Sequence, residues 1–172
     1  GLDTNDGLTP SQPVLTLQHN IDVLSQYGPV LKGEWVIQLA SGTYSRGRFP
    51  VTGLLSDKPI ALVGPVVNHP NVPTAVISEG TDVAAFGLLA SNGTRIKVSN
   101  ILVSGFSGSV SSSGIRVNTQ SSLYTENVHF SNCYYGVSGL GHAHLDINGG
   151  IFSGCGFSNN NPSNGTGHAI RG

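Results

Sequence analysis

The chain is short of charge. Eight Lys and Arg stand against nine Asp and Glu, 10% of its 172 residues, for a formal net charge of −1. A soluble domain ordinarily carries about 25% charged residues. No block of like charge occurs, so a surface for nucleic acid or an anionic membrane is not expected, since clustered Lys and Arg supply that attraction. No apolar run approaches the ~18 residues of a membrane span. The opening lacks the basic and apolar regions of an export signal, so no membrane insertion is expected. There is no Ser-His-Asp order, phosphate loop or zinc constellation, and no cofactor is expected. What is plentiful is Gly, at 24 residues, together with Ser and Asn. That composition suits tight β-turns and ladders of small polar side chains.

A pattern repeats three times in the second half. The segments are 96–106 (IKVSNILVSGF), 123–133 (LYTENVHFSNC) and 145–155 (LDINGGIFSGC), whose starts lie 27 and 22 residues apart. Each alternates apolar and polar, reaches Asn or Gly, continues apolar, then passes Ser and ends on Phe or Cys. A short fixed period marks a supersecondary unit that cannot bury its own apolar face and must stack on copies of itself. A second set keeps the same beat: Phe86-Gly-Leu-Leu89, Gly114-Ile-Arg-Val117, Tyr135-Gly-Val-Ser138 and His168-Ala-Ile-Arg171. The wide last interval holds an Asn/Ser/Gly run, 156–165, that reads as a looped-out insertion. Two strands per period with no helical spacing between them predict the rungs of a parallel β-helix.

Stacked strands lie about 4.8 Å apart, so equivalent residues form ladders. Alternation predicts Ile96, Leu123 and Leu145 inward, with Val98, Thr125 and Ile147 beside them. Asn100, Asn127 and Gly149 take the corner, where Asn and Gly tolerate left-handed backbone. Ser104, Ser131 and Ser153 form a serine ladder, and Phe106, Cys133 and Cys155 an apolar one. That last ladder brings the two cysteines within disulfide range. The alternative is a pair of inward thiols packed as small hydrophobes, the commoner fate of free Cys.

The first half is looser. Trp35–Tyr44 reads as a strand ending in a Gly turn, and Lys58–Gly64 and Thr74–Ser78 as short β-branched strands. Leu17, Ile21 and Leu24 recur at helical spacing within Thr16–Tyr27, and Gly28-Pro29 stops that helix. A helix ahead of the coils is expected to cap the first one, covering backbone and interior that would otherwise lie open. The organisation expected is one domain over 1–172, with a cap over 1–34 and β-coils over 35–172. Its end inside a repeat at Arg171-Gly172 leads us to expect a piece of a longer chain.

The opening Gly1–Leu24, GLDTNDGLTPSQPVLTLQHNIDVL, resembles that of β-helix proteins of the pectate-lyase superfold. It is most similar to those of bacteriophage tailspikes and tail fibres, where Asn-Asp-Gly-Leu-Thr-Pro leads into Thr-Leu-Gln and a cap helix. Ile37–Tyr44 resembles the strand and turn that follow. The resemblance implies a right-handed parallel β-helix, an all-β solenoid with a short N-terminal capping helix. It further implies a homotrimer in the phage tail, extracellular on the virion beside other tail proteins, that recognises and often cleaves bacterial surface polysaccharide.

Cleaving a glycan calls for paired carboxylates, one protonated and one ionised, while lyase chemistry calls for a base near a C5 proton and a group that neutralises a uronate. Glu126 aligns with Ser99 and Asn148, and Asp146 with Lys97 and Tyr124, so all six are expected outward on one sheet. Glu126 and Asp146, on adjacent rungs and columns, are the candidate catalytic pair. Tyr124 as a platform for a sugar ring, Lys97, Asn148 and His129 on the following strand are the candidate carbohydrate contacts. Outward acids on neighbouring rungs are more often plain solvated surface. Asp3-Thr-Asn-Asp-Gly7 superficially matches a calcium loop, but no distal Glu follows and an Asx-type turn is expected. His142 and His144 alternate without a third ligand, so no metal is expected. Asn92-Gly-Thr94 and Asn164-Gly-Thr166 match a glycosylation acceptor and are expected to be simple turns.

The function expected is recognition of bacterial surface polysaccharide during host adsorption. Alternatives are a polysaccharide lyase or hydrolase, and a structural spacer on the virion.

Overall fold

The computed structural model describes Leu2, Thr9 and residues 15–50, 52–68, 70–78, 86–109 and 111–155. The motif at 3–7, the insertion at 156–165, the strand at 168–171 and the turn at 164–166 lie outside the described residues. In chain order the elements are α1 (Leu17–Gln26), β1 (Val30–Leu31), β2 (Val36–Gln38), β3 (Gly42–Tyr44), β4 (Gly47–Arg48), β5 (Leu55–Ser56), β6 (Ile60–Val63), β7 (Ala75–Ser78) and β8 (Phe86–Ala90). There follow β9 (Arg95–Ser99), β10 (Ile101–Ser104), β11 (Ser113–Asn118), β12 (Ser122–Glu126), β13 (His129–Ser131), β14 (Tyr135–Leu140), β15 (His144–Asn148) and β16 (Ile151–Ser153).

Asn100, Asn127 and Gly149 set the course of the chain. Their φ values are 55°, 51° and 63°, the left-handed region that Asn and Gly occupy most readily. Each bends the chain between two strands, so a coil carries three strands rather than the two expected from the repeat. The apolar runs on either side of the corner belong to different sheets. One sheet is ordered β2-β6-β9-β12-β15, a second β3-β7-β10-β13-β16 and a third β4-β8-β11-β14, with every neighbouring pair parallel. The short pair β1-β5 stands apart. The result is a parallel β-solenoid of about four turns with one short helix near its N-terminus. The same reasoning revises the segment Trp35–Tyr44: its Gly turn opens a second strand, β3, because Gly42 pairs with Ala75 on the next coil.

The ladders have the predicted register. Ile96 pairs with Leu123 and Leu123 with Leu145; Val98 pairs with Thr125 and Thr125 with Ile147; all six are buried. Ser104, Ser131 and Ser153 align, and Ser78 extends that ladder by one coil. Leu88, Ile115 and Val137 stack in the third sheet. Just before them, Gly87, Gly114 and Gly136 also face the interior. A Cβ at Gly87 would lie 2.6 Å from the Phe106 ring, one at Gly114 2.7 Å from the Gly136 carbonyl oxygen and 3.1 Å from Phe130, and one at Gly136 2.5 Å from Phe152. The Phe130 and Phe152 rings stack at 4.7 Å between centroids, 16° from parallel. Hydrogen at these three glycine positions is what lets the rings fill the core.

The helix behaves as a cap. Thr16 is its N-cap, its hydroxyl accepting from the His19 N–H at 3.2 Å. Leu17, Ile21 and Leu24 are buried on one face, and Leu17 and Ile21 pack against Gly47 of β4. Among the described residues, strand β4 has a strand partner on one side only. On the other, the Gln18 amide accepts from the Arg48 N–H at 2.8 Å and donates to the Arg48 carbonyl at 3.1 Å. One side chain thus mimics a neighbouring strand and closes an edge.

Candidate functional site

The outer face of the first sheet changes character along the solenoid. On its early strands it shows Val36, Gln38, Ala61 and Val63. From β9 onward the register sets Arg95, Ser122 and His144 in one column, Lys97, Tyr124 and Asp146 in the next, and Ser99, Glu126 and Asn148 in the third. Alternation explains the grouping, since the residues between these, such as Ile96, Leu123 and Leu145, fill the core. Five of the six predicted site residues, Lys97, Tyr124, Glu126, Asp146 and Asn148, therefore share one face.

Within the face, Lys97 Nζ lies 2.9 Å from Glu126 Oε2, with the two side chains 46% and 62% exposed. An exposed pair of this kind contributes about 0–1 kcal/mol to stability. Its greater effect is to orient both groups and balance their charges. Tyr124 is half-buried, and its ring centroid lies 5.8 Å from that of His144 at 52°. Arg95 reaches back to donate to the Asp57 carbonyl at 3.1 Å. Glu126 and Asp146 are diagonal neighbours. Strand spacing near 4.8 Å and a rise near 3.3 Å per residue set their Cα atoms about 8 Å apart. Both carboxylates are exposed, whereas a carboxyl that serves as general acid is usually held protonated by an apolar pocket.

Two expectations are revised. His129 is only 4% exposed, although its register with Leu102 and Ile151 gives it an outward position. Its imidazole is covered and not presented to a ligand. Ser99 is likewise buried in the outward column. The Gly64 N–H donates to the Ser99 carbonyl at 2.9 Å, and the Val67 carbonyl accepts from Asn127 Nδ2 at 3.4 Å, so the connection after β6 crosses this corner of the sheet. Sequence reasoning missed His144 as a companion of Tyr124, although the spacing His144-Leu-Asp146-Ile-Asn148 places it on the same face. His142, by contrast, sits in the turn before β15 with φ 63°. Among the described residues no three His, Cys, Asp or Glu side chains converge. Asn92 and Gly93 form a turn with φ 52° and 82°, and the buried Thr94 hydroxyl accepts from the Leu54 N–H at 2.9 Å.

Chemically the face offers two cations, two carboxylates, an amide, an imidazole and one aromatic ring on a grid set by the strand register. It can exchange many hydrogen bonds and stack one apolar ring face while staying electrically balanced. Compared with protein-family models, curated proteins and solved structures, the chain matches none.

Proposed function

We propose that this solenoid is part of a bacteriophage tailspike or tail fibre, extracellular on the virion, whose first sheet holds bacterial surface polysaccharide during adsorption. The observation that carries the reading is the confinement of Arg95, Lys97, Tyr124, Glu126, His144, Asp146 and Asn148 to one outward face of three successive strands. A polysaccharide is a repeating array of hydroxyls with apolar ring faces. A repeating array of donors and acceptors around an aromatic platform is its physical complement. Charge balance favours a hydroxyl-rich polymer over a polyanion. The resemblance of the opening residues to tailspikes supplies the biological setting, and the same resemblance makes a homotrimer beside other tail proteins part of the proposal. Sedimentation of a stable monomer by the whole protein would count against the trimer.

The enzymatic alternative draws on one observation, the diagonal placement of Glu126 and Asp146. Inverting glycosidases hold their carboxyl groups about 6.5–9.5 Å apart. The test is to incubate the protein with purified capsular and O-antigen polysaccharides and separate the mixture by size. Intact polymer that co-elutes with the protein supports recognition. Shortened polymer, lost in Glu126→Gln, supports cleavage. Intact polymer eluting apart from the protein for every glycan tried refutes both.

A further inference from the structure

We propose that Cys133 and Cys155 form a dithiol modification site, at which a small-molecule disulfide oxidises the pair to an intrachain bridge joining the coil that carries β13 to the coil that carries β16. The two residues follow equivalent corners. Ser131 pairs with Ser153, Asn132 and Gly154 both take left-handed backbone at φ 52° and 62°, and the Asn132 N–H donates to the Ser153 carbonyl at 2.9 Å. Continuing that register two residues past Ser131 and Ser153, through the matching corners, sets the two cysteine Cα atoms about 4.8 Å apart, inside the roughly 4.4–6.8 Å span of disulfides. The thiols also lean the same way. Cys133 Sγ donates to the Ser131 carbonyl at 3.5 Å, and Cys155 Sγ to the Ser153 carbonyl at 3.5 Å. Both are free thiols, so the bridge is latent. Its place is telling, because the coils it would join carry Tyr124 and Glu126 on one strand and Asp146 and Asn148 on the next.

Burial divides the chemistry between them. Cys133 is 2% exposed and Cys155 half-buried, so the first attack falls to Cys155. Its thiolate attacks one sulfur of the external disulfide, forming a mixed disulfide and releasing one small thiolate. Cys133 then gives its proton to solvent base, and its thiolate attacks Cys155 Sγ and expels the second small thiolate. The external disulfide has gained two electrons and leaves as two thiols, and the protein has lost two electrons and two protons. The second step is the slow one. In the reduced pair desolvation above all, with the neighbouring Cys155 thiol adding to it, pushes the Cys133 thiol up to about 11, and the desolvation persists in the mixed disulfide. Its thiolate fraction, and with it the closure rate, rises about tenfold per pH unit below that value.

The test uses the whole chain and excess oxidised glutathione at pH 7 and pH 9, read by intact mass, non-reducing peptide mapping and melting. The expected result at pH 7 is a glutathione adduct on Cys155. It closes to a Cys133–Cys155 bridge about 100-fold faster at pH 9. The bridged chain melts about 6 °C or more higher, from closing a loop of about 20 residues, and reductant reverses the gain. Cys133→Ser stops at the adduct, and Cys155→Ser leaves Cys133 unmodified; should either variant fail to fold, the mapping of the unsubstituted chain decides alone. An adduct that persists at pH 9, or a bridge between two chains, overturns the proposal.

Discussion

Replacing Gly149 with Asn should stabilise the protein, and the structure gives the size of the effect. Asn127 Nδ2 donates to Asn100 Oδ1 at 2.9 Å, which starts an asparagine ladder at the corner between the first two sheets. The ladder stops at Gly149, leaving Asn127 Oδ1 buried with no hydrogen-bond partner among the described residues. Gly149 already has φ 63°, a left-handed value that Asn adopts more readily than other side chains. A Cβ there would meet nothing nearer than the Asn127 N at 3.6 Å, an ordinary contact. The new Nδ2 would repeat the Asn127–Asn100 bond one rung further along. One hydrogen bond to a buried acceptor contributes about 1 kcal/mol net. Removing glycine's freedom from the unfolded chain adds about 0.4–1 kcal/mol, partly offset by the left-handed backbone. The sum, about 1–1.5 kcal/mol, raises the melting temperature by about 3–5 °C for a chain of this length. Thermal melting of Gly149→Asn and Gly149→Ala separates the contributions, because alanine takes the left-handed strain without the bond and should melt below wild type. Adding Asn127→Ala to Gly149→Asn should erase the gain. A Gly149→Asn variant that melts no higher than Gly149→Ala would refute the ladder.

Thr125 lies 4% exposed between Val98 and Ile147 in an apolar ladder, with its hydroxyl unpartnered among the described residues. Thr125→Val should therefore raise stability by about 1 kcal/mol in a denaturant titration, where an ordinary buried Thr→Val change would lower it. Gln18→Ala removes both bonds that close the free edge of β4 and should lose about 1–3 kcal/mol, with hydrogen exchange at the Arg48 amide accelerating most. Gly136→Ala forces a Cβ to within 2.5 Å of the Phe152 ring and should lose about 1–3 kcal/mol by overpacking, measurable as a lower melting temperature with the far-ultraviolet spectrum retained.

Local periodicity carried most of the fold. Alternation about Ile96, Leu123 and Leu145 named the inward columns, recurring Asn at 100 and 127 marked the corner, and Leu17, Ile21 and Leu24 marked the cap helix. The third strand of each coil was hidden because apolar residues continue through the corner, and only the left-handed φ at Asn or Gly assigns the two halves to different sheets. Gly87, Gly114 and Gly136 were visible as a column, but their reason, the rings of Phe106, Phe130 and Phe152, lies across the core. The part played by Gln18 depends on Arg48, 30 residues away. For the site, period-two spacing sufficed to gather Lys97, Tyr124, Glu126, Asp146 and Asn148. It failed for His129 and Ser99, since alternation says which way a residue points and nothing about which distant segment covers it.

The most direct measurement is equilibrium binding of a bacterial polysaccharide by wild type, Tyr124→Ala and Tyr135→Ala. Tyr135 lies in the third sheet, on another side of the solenoid, and its replacement controls for general loss of aromatic surface. If the first sheet holds the glycan, Tyr124→Ala weakens binding about tenfold, equivalent to about 1.4 kcal/mol, while Tyr135→Ala stays within about twofold. Equal losses in the two variants, or unchanged binding by Tyr124→Ala, would contradict recognition through this face.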